Sequence, residues 1–174
     1  MRSRIYSIVL AALIVVPALS GQQPEEAAAA PVPSQIISAR KVFISNAGAD
    51  IASQSSFKRA GEPNQAFNHF YSAMRGWGRY ELVSTPGEAD LVLELRFTAP
   101  MYVDGTLPFF EPQFGLNILD AKTHFLLWNL TVPVGGALRE KTWVKNFDHG
   151  LDTLMDDLKN LTARPVASAE PVKK

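Results

Sequence analysis

The chain has 174 residues, with 17 Lys and Arg against 17 Asp and Glu, and no cysteine. At 20% charged and 47% hydrophobic it has the balance of a globular protein, with no basic cluster for nucleic acid to read. The missing cysteine excludes a disulfide framework and acylation through a cysteine behind a leader. In an exported chain it points to a bacterial protein with an adequate core.

Export is expected from the amino terminus. Arg2 and Arg4 precede an apolar run from Ile5 to Val16, then Pro17-Ala18-Leu19-Ser20 and Gly21. A basic start, a short apolar stretch and small residues before the cut make residues 1–20 a signal peptide. The run is shorter than the roughly 20 residues a membrane span needs, so no stable span is expected after cleavage. Removing Arg2 and Arg4 leaves 15 basic residues against 17 acidic ones, formally −2. The expected location is periplasmic or secreted.

Residues 21–34, "GQQPEEAAAAPVPS", read as a disordered linker, and 163–174 as a disordered tail of the same character. Between them, residues 35–162 form one expected domain. Ile36 to Ser45 is rich in β-branched residues and reads as a first strand stopped by Asn46-Ala47-Gly48, with a polar loop to residue 63. Phe67, Phe70, Tyr71, Met74 and Trp77 then recur at helical steps, predicting a helix from about Asn64 to Gly76. Tyr80 to Val83 is a short extended piece, followed by a turn at Thr85-Pro86-Gly87. In "ADLVLELRFTAP", Leu91, Leu93, Leu95 and Phe97 alternate with polar residues, a strand with one buried face. Phe114 to Leu130 predicts a hairpin turning at Asp120 to Thr123, whose second strand is apolar on both faces and so is expected centrally in the sheet. Phe147, Leu151, Leu154, Leu158 and Leu161 predict a closing helix, with Asp148 near its start favouring the dipole. Asp148, Asp152 and Asp156 read as its solvated side.

These elements predict an α+β fold: a two-layer sandwich with a mixed or mainly antiparallel sheet of four to five strands and two helices packed on one face.

Chemistry is sparse. His69, His124 and His149 lack metal-ligand spacing, and no nucleophile elbow or phosphate loop is present. No catalytic residue, metal or cofactor is expected. The unusual segment is "APMYVDGTLPFFEPQF", where Pro100, Pro108 and Pro112 stiffen a loop loaded with large apolar residues. Such a loop either folds back as a lid on the core or presents a preorganised patch. As a patch, its candidate partner-binding residues are Met101, Tyr102, Leu107, Phe109 and Phe110. Trp128 is expected to pack on the core or sheet and not on a ligand.

Ala89-Asp90 before a strand, and Asp120, Thr123 and Trp128 in an "Asp-x-x-Thr-x-x-x-x-Trp" hairpin, resemble the TolB amino-terminal domain and its cousins in curli-secretion and penicillin-binding-protein-activator lipoproteins. The resemblance spans about Gln35 to Thr162 and implies an α+β sandwich and non-catalytic binding work, with no residue-level site carried over. The chain departs from it in having no lipid-anchor cysteine and no propeller. Residues and resemblance together give an exported binding or assembly-accessory module. It would contact another cell-envelope protein through its sheet and aromatic loop. The alternative is a carrier of a lipid or other apolar ligand between sheet and helices.

Overall fold

The computed structural model describes residues 30–49, 64–105 and 107–164. The expected signal peptide, residues 21–29 of the linker, residues 50–63 of the polar loop and the tail beyond Arg164 lie outside the described residues. In chain order the elements are α1 (Ser34–Ser38), β1 (Lys41–Ala49), α2 (Gln65–Trp77), β2 (Glu81–Val83), a 3-10 turn (Pro86–Glu88), β3 (Leu91–Thr98), β4 (Met101–Asp104), β5 (Leu107–Phe110), β6 (Gln113–Asp120), β7 (Leu126–Pro133) and α3 (Glu140–Ala163).

Period-two alternation builds the main sheet. Leu91, Leu93, Leu95 and Phe97 of β3 are buried, and so are Phe114, Leu116 and Ile118 opposite them on β6. Both strands therefore turn one apolar face inward and keep polar residues such as Arg96 and Asn117 outward. Five strands pair in the order β2-β1-β3-β6-β7, and β4 with β5 forms a separate two-stranded sheet. β1 runs parallel to β2 and β3, whereas β3–β6 and β6–β7 are antiparallel. The sheet is mixed and the fold is α+β.

The helices meet the inward face in one cluster. Phe70 and Met74 of α2 join Trp143, Phe147, Leu151, Leu154, Leu158 and Leu161 of α3 against Val42, Leu93, Leu116 and Ile118. α2 ends where Gly78 takes a left-handed φ of 68° and donates its amide to the Met74 carbonyl.

Four expectations need correction. The chain from Ser34 to Ser38 is a short helix, and the first strand begins only at Lys41. Its paired isoleucines look like strand, yet Ile36 is a fully buried plug, and its carbonyl accepts the Tyr80 hydroxyl at 3.3 Å. β1 also runs on through Asn46-Ala47-Gly48, with an irregular register between Asn46 and Ala49 and a Gly48 φ of 77°. β7 lies at the edge of the sheet and not in its centre. It looked doubly apolar because a register shift after Ile118/Trp128 lets Leu127 and Trp128 both pack on the core while Leu126 stays exposed. Finally, α3 starts at Glu140, since Trp143 extends its apolar stripe by another turn; Asp148 is then the ninth helical residue and gains nothing from the dipole.

Two substitutions test this packing. Leu158→Ala should cost about 2–5 kcal/mol in denaturant melts, while Asp152→Ala, on the solvated side, should stay within about 0.5 kcal/mol. Gly150→Ala would ordinarily strengthen a helix by roughly 1 kcal/mol. Here the added Cβ would sit 3.0 Å from Val134 and 3.2 Å from Phe114. A net loss of stability is therefore expected.

Candidate functional site

The segment read as a proline-stiffened loop is a β-ribbon, a further departure in local structure. Met101 pairs with Phe110, Tyr102 with Phe109, Val103 with Pro108 and Asp104 with Leu107. Proline is tolerated in β5 because a two-stranded ribbon leaves one edge of each strand without a neighbour. Gly105 turns the chain with a φ of 65°, and the Glu111 amide closes the base onto the Pro100 carbonyl at 3.1 Å.

Alternation in so narrow a ribbon would normally give one apolar and one polar face. Here both faces carry exposed apolar side chains. Tyr102 and Phe109 stack on one side with centroids 5.7 Å apart. Met101, Val103 and Phe110 occupy the other. These five side chains are 42–65% exposed, and none belongs to the core cluster. The structure thus brings Met101, Tyr102, Phe109 and Phe110 together on one projecting element; of Leu107 only the backbone pairing is described. An isolated ribbon of this size gains little from its own pairing.

The foot of the ribbon is firm. Phe97, the last inward residue of β3, lies 5.0 Å from Phe114 and 5.6 Å from Phe147, centroid to centroid. Trp143 stands edge-on to the same ring at 6.5 Å.

The other polar constellations do structural work. A shallow depression of about 350 Å³ is lined by Gln35, Arg40, Asp90, Asp120 and Lys122, among others. Asp90 Oδ2 accepts the backbone amides of Arg40 and Lys41, both at 2.9 Å, which clamps the start of β1 to the start of β3. Asp120 Oδ1 accepts the Lys122 and Thr123 amides at 3.0 and 2.7 Å, and the Thr123 hydroxyl at 2.9 Å. Those bonds, with His124 at a φ of 60°, build the five-residue turn between β6 and β7. Both carboxyls are held below the usual aspartate range. For Asp90 the Lys41 and Arg40 amides are the main cause, and for Asp120 it is the Thr123 amide and hydroxyl. Groups so held are ionised and engaged, and are poorly suited to proton transfer.

Sequence spacing did not reveal that His69 on α2 stands between two acids of α3. Its Nδ1 lies 3.6 Å from Asp148 and its Nε2 3.5 Å from Asp152. The contact joins the two helices at their solvent edge. Among the described residues no group of three or more His, Cys, Asp or Glu side chains is arranged to hold a metal ion. Among them, too, no helix is long and apolar enough to cross a membrane. Trp128 is half-buried, opposite Ile118 and against the core.

No protein-family model and no curated protein matches the sequence. Solved structures similar to the chain include a neuraminyllactose-binding hemagglutinin homolog from Helicobacter pylori. It is 11% identical, with a TM-score of 0.49 over 72% of this chain and 86% of that one. A Xanthomonas campestris protein of the family DUF330 is 12% identical, with a TM-score of 0.48 over 76% and 88%. Lipoprotein B from Nitrosomonas europaea is 12% identical, with a TM-score of 0.35 over 71% and 81%. All three are bacterial proteins, and likenesses of this size carry no argument.

The two aspartates predict a pH dependence. Their pKa values are lower in the folded than in the unfolded chain. The stability they contribute is complete above the unfolded value, about 3.9, and is lost as pH falls through the folded values. Asp90→Asn with Asp120→Asn keeps an acceptor oxygen but removes the charge. Denaturant melts of this variant should show a shallower loss of stability below about pH 4 than the parent. An unchanged acid limb would contradict the assignment.

Proposed function

We propose that this is an exported, non-catalytic bacterial binding module of the cell envelope, and that the β4–β5 ribbon is the surface with which it grips a partner protein. The observation that carries the reading is the ribbon itself: an element apolar on both faces, outside the core and anchored at a rigid foot. Aromatic side chains preorganised on a firm base lose little entropy on binding, which is the property of interface hot spots. Export rests on the signal-like residues 1–20, with the mature chain beginning near Gly21, and it makes a periplasmic or secreted location the working one.

The alternative, a carrier of an apolar ligand between the layers, has less to rest on. Phe70, Phe114, Phe147, Leu151 and Leu154 are at most 1% exposed and occupy that space themselves. Catalysis also lacks support, since the carboxylates that lie nearest a depression are engaged by backbone amides.

Intact-mass measurement of the exported protein should give a chain starting near Gly21; retention of residues 1–20 would contradict the export reading. Phe109→Ser together with Phe110→Ser should leave folding stability within about 0.5 kcal/mol, as for exposed positions. The same change should weaken capture of an envelope partner by about thirty-fold, roughly 2 kcal/mol. A loss of several kcal/mol of stability would instead make the ribbon part of the core, since buried Phe truncation costs about 3–5 kcal/mol each.

A further inference from the structure

The two edges of the main sheet are unlike. β2 is three residues long, and its Glu81 pairs with Lys41 at 3.6 Å, so that edge is short and charged. Both features discourage a further strand from adding. β7 has eight residues, Leu126–Pro133, and none of them is charged. Its backbone can be assigned group by group. The Val134 amide donates to the Pro112 carbonyl at 2.7 Å, so the alternation of an antiparallel ladder turns the backbone of Val132, Leu130 and Trp128 toward β6. Asn129 and Thr131, between them, turn amide and carbonyl away from the sheet. Pro133 turns out a carbonyl alone. Leu127 is the extra residue where the pairing jumps from Ile118/Trp128 to Leu119/Leu126.

The inward side-chain row is also incomplete at this edge. Leu116 and Ile118 of β6 are fully buried, whereas Leu130 and Trp128 opposite them pack on the core and stay half-buried. Exposed apolar residues flank the strand at both ends: Phe125 at 73% and Leu126 at 57% at its start, and Leu138 at 98% shortly after its finish. Outside the ribbon, Tyr71 is the one other exposed large apolar side chain among the described residues. Charges around the strand balance at each end, Asp120 with Lys122 at its start, and Glu111 and Glu140 with Arg139 and Lys141 at its finish.

We propose that β7 is the edge at which two copies of this chain join, antiparallel about a two-fold axis at Leu130. Asn129 then stands opposite Thr131 of the second copy, and each exchanges both backbone bonds with the other. Pro133, which has no N–H, falls opposite the extra residue Leu127, so no regular ladder position is lost. Trp128 meets Val132 and Leu130 meets its own counterpart, which closes the open flank of the inward row in both copies. The start of each β7 lies beside the finish of the other, so Phe125 and Leu126 come to the flank that Leu138 occupies. This matching is what identifies the occupant. Any extended strand could satisfy the outward backbone groups, but this strand also meets its own apolar row in phase, brings no charge, and covers both apolar ends in a single contact. The contact is isologous and closes at two copies. It goes beyond the proposed function, since β7 and the ribbon are separate surfaces. The two five-stranded sheets become one, with a ribbon projecting at each of its opposite ends.

The test is sedimentation velocity on the exported chain across a concentration series. The parent should reach a dimer and nothing larger. Thr131→Pro removes an outward amide that a single copy does not use, so the fold is kept. Dimerisation should weaken by about thirty-fold, because the two-fold applies each lost bond twice. Should that variant fail to fold, Thr131→Lys, which sets charge on the edge against the second copy, is read in its place. Phe109→Ser with Phe110→Ser should dimerise as the parent does. The chain has no cysteine, so a single introduced thiol reports the axis. Oxidised Leu130→Cys should run as a covalent dimer. Phe125→Cys should not, although the position is more exposed, because its counterpart lies roughly 30 Å away along the paired strands. A parent that stays monomeric at every concentration, a Thr131 variant that dimerises like the parent, a ribbon variant that loses the dimer, or a thiol at Leu130 that fails to cross-link would overturn the inference.

Discussion

The packing of Phe97, Phe114 and Phe147 is the contact on which the rest of the molecule depends. Their centroids lie 4.8 to 5.6 Å apart, and one ring comes from each of β3, β6 and α3. The cluster fixes where α3 crosses the central antiparallel pair and closes the core beneath the ribbon. Gly150 allows the close approach, since a Cβ there would press on Phe114 and Val134. With the interior sealed at this level, the chain from Met101 to Phe110 is free to project. Its apolar side chains have no vacancy in the core to fill.

That sealing explains which surfaces are available for function. Stability comes from one continuous cluster between the inward sheet face and the helices. Among the described residues, five exposed large apolar side chains, Met101, Tyr102, Val103, Phe109 and Phe110, lie together on the ribbon outside it. Elsewhere the wet face follows ordinary rules, with Asn117 linked to Asn129 at 2.8 Å and Thr131 to Asn129 at 3.0 Å. Departures from local rules that lack a folding reason are where function is expected.

Much of the fold was legible because strong periodicity leaves few alternatives. The alternation of Leu91 to Phe97 and the helical stripe from Phe147 to Leu161 each correspond to an element of the right kind. The hairpin around Asp120 was legible too, and the reason is local. Asp120, Thr123 and Trp128, which resemble a family mark, are the turn acceptor, its hydroxyl partner and the first inward residue of β7 beyond the irregular pairing. Asp90 after Ala89 is likewise a clamp on β1. In this chain those residues build the hairpin turn and the clamp, so they speak to architecture and not to task. What sequence could not supply was long-range register. The His69 contact with Asp148 and Asp152 and the edge position of β7 depend on which segments lie side by side. Ile36 and Ile37 misled because β-branched residues also plug cores from a single helical turn. Pro108 hid β5 because proline argues against a strand unless that strand has a bare edge.

The sheet and helices form a complete core without the ribbon. Excising Met101 to Phe110 and joining the Pro100 and Glu111 ends, already hydrogen-bonded at 3.1 Å, with a two-residue turn tests it most directly. The expected result is a cooperative thermal melt with a midpoint within about 3 °C of the parent and unchanged far-ultraviolet circular dichroism. A broad or absent melt would show the ribbon to be part of the core.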